Sequence, residues 1–103
     1  MYIYEVTKAK LAIERKCESL QEEYEKAESK ARAYYSESVL PAEDDTAVSD
    51  EEWEAICSVY DDLCATVKRL GEQIDIAVNA IAALFEVKSA LLIAEAEGVW
   101  KEG

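Results

Sequence analysis

The fold of this chain is decided by the stretch from Trp53 to Leu91, WEAICSVYDDLCATVKRLGEQIDIAVNAIAALFEVKSAL. Its apolar residues recur at alternating steps of three and four, which keeps them on one side of an α-helix for about five heptads. The series, in which one member is charged, consists of Trp53, Ile56, Tyr60, Leu63, Val67, Leu70, Ile74, Ala77, Ile81, Leu84, Lys88 and Leu91. The pattern predicts a long helix with a continuous packing seam.

A second series with the same spacing occupies the N-terminal third of the chain. It consists of Ile3, Val6, Lys10, Ile13, Cys17, Leu20, Tyr24, Ala27, Ala31 and Tyr34. The residues between these positions are mostly good helix formers, and neither Gly nor Pro interrupts them. The series predicts a first helix over about residues 4–38. We expect it to end before Pro41, because a proline ring disfavours helical geometry in the residue ahead of it.

Residues 39–48 are then expected to form an acidic connection, and the start of the next helix is marked by a capping box. In Ser49–Glu52 the serine hydroxyl and the last glutamate carboxylate can each accept a hydrogen bond from the other residue's free backbone N–H. Val48 and Trp53 stand at the two positions of a hydrophobic staple across this cap. The sequence therefore predicts a helix that begins at Asp50.

This second helix is expected to run to about residue 97, but Gly71 leaves an alternative open. A glycine inside a helix costs about 1 kcal/mol relative to alanine, and Lys68-Arg69 just before it is typical of a helix end. The apolar series nevertheless crosses Gly71 without a change of phase. We therefore predict a single all-α domain, residues 1–103, folded as a long antiparallel helical hairpin of coiled-coil type. A three-helix bundle broken at Gly71 is the alternative.

The simplest register of the hairpin, taken about the middle of the connection, places Tyr24 near Leu63 and Tyr34 near Trp53. The second helix is the longer one, and around residues 74–94 it is apolar on most of its circumference. A helix of this kind is buried on most sides, which two helices cannot achieve. We therefore predict a homodimer or higher oligomer through the C-terminal helix, with the interface residues Ile81, Leu84, Phe85, Lys88, Leu91, Leu92 and Trp100.

The formal net charge of the chain is −12. Nucleic acid and anionic membranes are polyanions, so the charge argues against direct binding to either and favours a basic partner. Most of it comes from nine acidic residues with no Lys or Arg among them: Glu43, Asp44, Asp45, Asp50, Glu51, Glu52, Glu54, Asp61 and Asp62. This acidic block can dock on the basic surface of a nucleic-acid-binding protein with fast, salt-sensitive association. Plain solubility is the alternative explanation.

The cysteines and the N-terminus point to a cytoplasmic protein. The chain has three cysteines, Cys17, Cys57 and Cys64, which form no metal-ligand spacing and are interpreted as free thiols in a reducing compartment. Residues 1–5 lack the basic start and apolar core of a signal peptide. The most apolar stretch is interrupted by charged residues, which makes it a poor membrane span.

Carboxylates are the remaining candidates for chemistry, because the chain has no histidine. In the register above, Glu14 and Glu18 lie near Glu72 and Asp75. This arrangement resembles the Mg²⁺-binding Glu and Asp clusters of the all-helical nucleoside triphosphate pyrophosphohydrolases, and the resemblance implies a Mg²⁺-dependent nucleotide hydrolase. The family's first Glu-x-x-Glu pair is not matched by Glu14 and Glu18.

No other catalytic, cofactor or metal signature occurs in the sequence, so we expect no enzyme, no cofactor and no bound metal. The leading hypothesis is an acidic protein–protein interaction module. In size and composition it resembles phage-encoded inhibitors of host defence, such as anti-CRISPR proteins and nucleic-acid mimics. A structural or assembly subunit that acts through its apolar C-terminal helix is the second hypothesis, and the Mg²⁺ hydrolase is the third.

Overall fold

The computed structural model describes residues 3–98, and every element in this range is helical. Two long helices, α1 (Ile3–Tyr34) and α3 (Asp50–Ala96), account for most of the chain. Between them lie a π-helical turn (Tyr35–Val39) and a four-residue helix, α2 (Leu40–Glu43). The all-α fold class predicted from the sequence is confirmed.

Helix α3 begins at the residue that the capping box predicts. Ser49 Oγ accepts a hydrogen bond from the backbone N–H of Glu52 at 3.2 Å. The helix ends just before Gly98, whose φ of 77° lies in the left-handed region that favours glycine. The N–H of Gly98 bonds to the carbonyl of Glu95 at 3.1 Å, which closes the last turn.

Gly71 does not break α3, so the three-helix alternative is wrong. The seam keeps one phase on both sides of the glycine, and burying that seam outweighs the local cost of about 1 kcal/mol. A Cβ atom at Gly71 would lie 3.5 Å from Cε2 of Tyr24, which is an ordinary van der Waals distance.

Replacing Gly71 with alanine is therefore expected to raise the free energy of unfolding by about 0.5–1 kcal/mol. Alanine restricts the unfolded chain and adds a contact to Tyr24 without a clash. Urea unfolding followed by circular dichroism would measure the change. A loss of stability would show that Tyr24 cannot accept the added methyl group.

The prediction that the first helix ends before Pro41 is wrong, because helical backbone continues to Glu43. In a regular α-helix the proline ring would collide with the carbonyl of Glu37, four residues earlier. Here the preceding turn is π-helical, and the N–H of Leu40 bonds to the carbonyl of Tyr35, five residues back. This wider turn moves the carbonyls away from the ring. The connection is consequently residues 44–49 rather than 39–48.

The two apolar series form the less exposed side of each long helix. Every member of both series is buried or half-buried, including Lys10 and Lys88. Five of the six buried core residues in the described range are seam positions; the six are Val6, Leu20, Ala31, Val39, Leu70 and Ala77. The spacing therefore identifies the buried side of each helix correctly.

The chain divides into two compact units. The terminal unit comprises Met1–Leu20 and Gln73–Gly103, and the central unit comprises Gln21–Glu72. The prediction of a single domain stays a prediction. In the terminal unit, Nζ of Lys10 lies 5.4 Å from the ring centroid of Phe85.

In the central unit the aromatic rings of Tyr35 and Tyr60 lie 5.4 Å apart between centroids. Tyr24 lies beside Gly71, eight residues beyond the predicted neighbour Leu63. The predicted register is wrong because the first helical segment continues to Glu43, which moves the connection, and every pair on either side of it, toward the C-terminus.

Helix α3 is also long and apolar enough to cross a membrane, by length and composition alone. Only 6% of the most apolar 18-residue stretch of this helix is buried within the structure. Most of this apolar surface is therefore open to a partner.

Candidate functional site

All nine residues of the acidic block are exposed. They lie at the end of α2, in the connection and in the first turns of α3, and all belong to the central unit. The central unit contains 15 acidic and 5 basic residues, a net charge of −10, whereas the terminal unit contains 8 and 6, a net charge of −2. The negative charge of the chain is thus concentrated in one unit.

The acidic block is not neutralised by ion pairs. Within residues 3–98 the ion pairs are Lys10 with Glu14, at 3.5 Å, and Arg32 with Glu28. Both pairs lie in α1, so no Lys or Arg in this part of the chain neutralises the carboxylates of the block.

Some of these acids have a local structural role. Oδ1 of Asp45 accepts a hydrogen bond from the backbone N–H of Ala47 at 2.9 Å, which stabilises the connection. The first turn of α3 contains Asp50, Glu51 and Glu52. Negative side chains at this position stabilise the helix, because they lie at the positive end of its dipole. The structure gives no comparable role to the other five, Glu43, Asp44, Glu54, Asp61 and Asp62.

A groove of about 210 Å³ lies within the acidic block. It is lined by Ala42, Glu43, Asp45, Val48, Asp50 and Trp53. Its walls therefore combine an aromatic ring and a valine with three carboxylates, which suits the aliphatic stem and the charged head of a lysine or arginine. The sequence signal for this groove is the hydrophobic staple of Val48 and Trp53 flanked by acids, a pattern that by itself predicts only a helix cap.

Tyr60 lies next to the block and remains protonated at neutral pH. A hydrogen bond to the side chain of Cys64 is the main reason that the pKa of Tyr60 is raised above its usual 10.0, and partial burial and the nearby Tyr35 and Asp61 add to the effect. A phenol held in its neutral form supplies neither a base nor a nucleophile.

The carboxylates do not converge on a metal site in the described range. No group of three or more His, Cys, Asp or Glu residues there could hold a metal ion. Glu14, one of the four residues that resemble the pyrophosphohydrolase cluster, is paired with Lys10.

The residues of the predicted oligomer interface differ in exposure. Phe85 and Leu92 are exposed, by 57% and 49%. The other described members, Ile81, Leu84, Lys88 and Leu91, are half-buried seam residues. Trp100 lies outside the described residues. The C-terminal half of α3 also exposes Ile76, Val78, Val87 and Ile93, which the prediction did not include.

A comparison of the chain with protein-family models, curated proteins and solved structures finds no match. Its function is therefore inferred from its own surface.

Proposed function

We propose that this protein is a non-enzymatic interaction module whose acidic block docks on the basic surface of a nucleic-acid-binding protein. One observation supports this proposal above the others: nine exposed carboxylates occupy one continuous part of the chain, and no ion pair within residues 3–98 neutralises them. A surface of this charge density attracts a polycationic partner and repels nucleic acid itself. The partner's basic groove is normally filled by phosphates, so the protein acts as a nucleic-acid mimic and inhibitor of the phage-encoded, anti-CRISPR-like kind.

The groove around Trp53 supports a specific mode of docking. Charge alone gives fast but weak association, whereas affinity comes from desolvated anchors near the centre of an interface. One lysine or arginine of the partner can lay its stem on Trp53 and its charged end between Asp45 and Asp50. The remaining acids then orient the approach.

We also propose that α1 and α3 pair as an antiparallel hairpin. In the central unit, Tyr35 contacts Tyr60 and Tyr24 contacts Gly71. From the first pair to the second, the N-terminal helical segment is followed eleven residues backward, from Tyr35 into α1, and α3 is followed eleven residues forward. This is the relation expected of helices that run in opposite directions.

A second function is favoured by the exposed side chains of the terminal unit. Ile76 is 69% exposed and Ile93 is 59% exposed, on a unit whose net charge is only −2. Apolar surface of this kind marks an interaction site. We propose that it serves self-association in the cytoplasm, so that the protein is an oligomer or an assembly subunit.

The docking proposal is tested by comparing the native protein with a variant in which Asp44, Asp61 and Asp62 are replaced by Asn and Glu54 by Gln. These four acids are exposed, and the variant spares Asp45 and the first turn of α3. Immobilised native protein is expected to capture a basic protein from host lysate at low salt and to release it in roughly 0.5 M salt or on addition of duplex DNA. The variant is expected to retain less than about a tenth of this binding.

The matched control replaces four exposed glutamates of α1, Glu18, Glu22, Glu23 and Glu25, by Gln. It changes the net charge by the same amount at a different place. Equal binding by the two variants would mean that the position of the acids does not matter, and capture that DNA does not reverse would rule out a nucleic-acid mimic.

A further inference from the structure

Val39 is, within residues 3–98, the one buried core residue that lies outside both apolar series. The series of α1 ends at Tyr34, and in an uninterrupted α-helix it would continue four residues later with Ser38. Val39 is 6% exposed, whereas Ser38 is only half-buried. The chain therefore buries a residue one position later than helical spacing predicts.

The π-helical turn explains this displacement. The N–H of Leu40 bonds to the carbonyl of Tyr35, five residues back instead of four, so the turn contains one residue more than a turn of α-helix. One residue corresponds to a rotation of about 100° about the helix axis. The residues of α2 are therefore rotated by about this angle relative to an α-helix that simply continues α1.

Two features of the sequence hold the extra residue in the turn. The first is Pro41, whose ring would collide with the carbonyl of Glu37 in a regular α-helix. The second is Val39 itself, because a regular α-helix would bury Ser38 in its place and leave the valine more exposed. The turn is thus favoured by steric exclusion and by burial, two effects that do not depend on each other.

The rotation determines which residues of α2 reach the groove in the acidic block. Ala42 and Glu43 line this groove together with Trp53. In a continuous α-helix, residue 41 would take the place of Ala42, and Ala42 would take the place of Glu43. The wall that α2 forms in the groove would then lose its carboxylate.

Two backbone hydrogen bonds transmit the orientation of α2 to the rest of the groove. The N–H of Asp45 donates to the carbonyl of Ala42 at 3.3 Å, and the N–H of Val48 donates to the carbonyl of Asp45 at 3.2 Å. All three residues line the groove. A different orientation of Ala42 would therefore break these bonds or displace the backbone at Asp45 and Val48.

We infer that the π-helical turn, held by Pro41 and Val39, is the positioning element of the groove around Trp53. It orients α2 so that Glu43 lines the groove. This inference rests on the docking proposal above, in which the groove takes a lysine or arginine of the partner. It goes beyond that proposal because it assigns a function to two residues that do not line the groove, at a kind of helix irregularity that is frequent at functional sites.

The test uses two variants that both convert the π-helical turn into α-helix but differ in the rotation of α2. The rotated variant contains Ser38→Val, Val39→Ser and Pro41→Ala, which place the valine where a regular α-helix buries it and remove the proline. The matched variant contains Pro41→Ala and lacks Ser36, an exposed residue of the turn. Because the deletion removes the extra residue, α2 keeps its native rotation. Both variants keep the formal net charge of −12, so charge cannot explain a difference between them.

The probe is an oligoarginine peptide, and the readout is the fluorescence of Trp53 in a Trp100→Phe background, where Trp53 is the only tryptophan. The native background and the matched variant are expected to bind the peptide with equal affinity. The rotated variant is expected to have a dissociation constant about 10-fold higher, because Glu43 and the ring of Trp53 then no longer line one groove. Circular dichroism would check that each variant is folded.

Equal binding by the native background and the rotated variant would overturn the inference. Weaker binding by the matched variant than by the native background would overturn it too, and this comparison does not need the rotated variant to fold. So would a native background whose Trp53 fluorescence does not respond to the peptide, since the groove would then bind no basic side chain. Failure of the docking proposal gives a different result: peptide binding depends on the rotation of α2 as expected, and no nucleic-acid-binding protein is captured from the lysate.

Discussion

Replacement of Leu70 by alanine is expected to lower the free energy of unfolding by about 2–4 kcal/mol. Leu70 is 5% exposed and lies on the seam of α3 in the central unit. Truncation of a buried leucine removes its transfer free energy and leaves a cavity. Because only six residues in the described range are buried, each of them provides a large share of the core, and a domain of this size has little stability in reserve.

The matched control is Val59→Ala in the same helix, where the side chain is 45% exposed. We expect this change to lower the free energy of unfolding by less than about 1 kcal/mol, because folding removes the two methyl groups of this half-exposed valine from water only in part. Urea unfolding of the variants at equal protein concentration would measure both values, because association adds to apparent stability. Similar losses at the two positions would mean that the seam is not the core of the folded chain.

The buried side of each long helix could be predicted from the sequence because burial follows helical geometry. A step of three or four residues returns to the same side of the helix, and the two series therefore found Val6, Leu20 and Leu70 without knowledge of their partners. The same reasoning explains why Lys88 is half-buried although it is charged. Its aliphatic stem occupies the seam position that the spacing assigns to it.

The connection could not be predicted because the effect of Pro41 depends on the backbone before it. A proline disrupts an α-helix through a clash with one carbonyl, and a π-helical turn removes this clash without ending the helix. Such turns have no simple signature in the sequence. The error then moved the register, so that Tyr24 was placed near Leu63 rather than beside Gly71.

The candidate surfaces were predictable to different extents. Exposure of the acidic block follows from its composition, since unpaired charged residues are almost never buried. The apolar part of α3 is harder, because residues on nearly all sides of the helix look alike in the sequence. Only the position of α1 separates half-buried residues such as Leu84 from exposed ones such as Ile76. The groove arises from the packing of two segments, and a linear pattern does not contain that information.

Neutralisation of Asp44, Glu54, Asp61 and Asp62 is expected to raise the free energy of unfolding by about 1–2 kcal/mol at low ionic strength. Two carboxylates about 10 Å apart in water repel each other by about 0.4 kcal/mol before screening. The four acids belong to a block of nine exposed carboxylates within 20 residues, and folding holds these charges closer together than the unfolded chain does. The gain is expected to shrink as salt is added, because the Debye length falls to about 10 Å at 0.1 M.

The α1 control variant, with Gln in place of Glu18, Glu22, Glu23 and Glu25, is expected to show no such gain. Glu18 lies three residues after Arg15, and Lys26 follows Glu22 and Glu23 by four and three residues, so replacing these glutamates also removes attractive neighbours. Thermal unfolding at low and high salt would compare the two variants. If the acidic block serves docking, the variant that binds its partner less tightly is the more stable protein, since functional sites retain residues that oppose stability. A block variant that loses stability would instead show that these carboxylates support the fold, and the loss of binding could then be an indirect effect of unfolding.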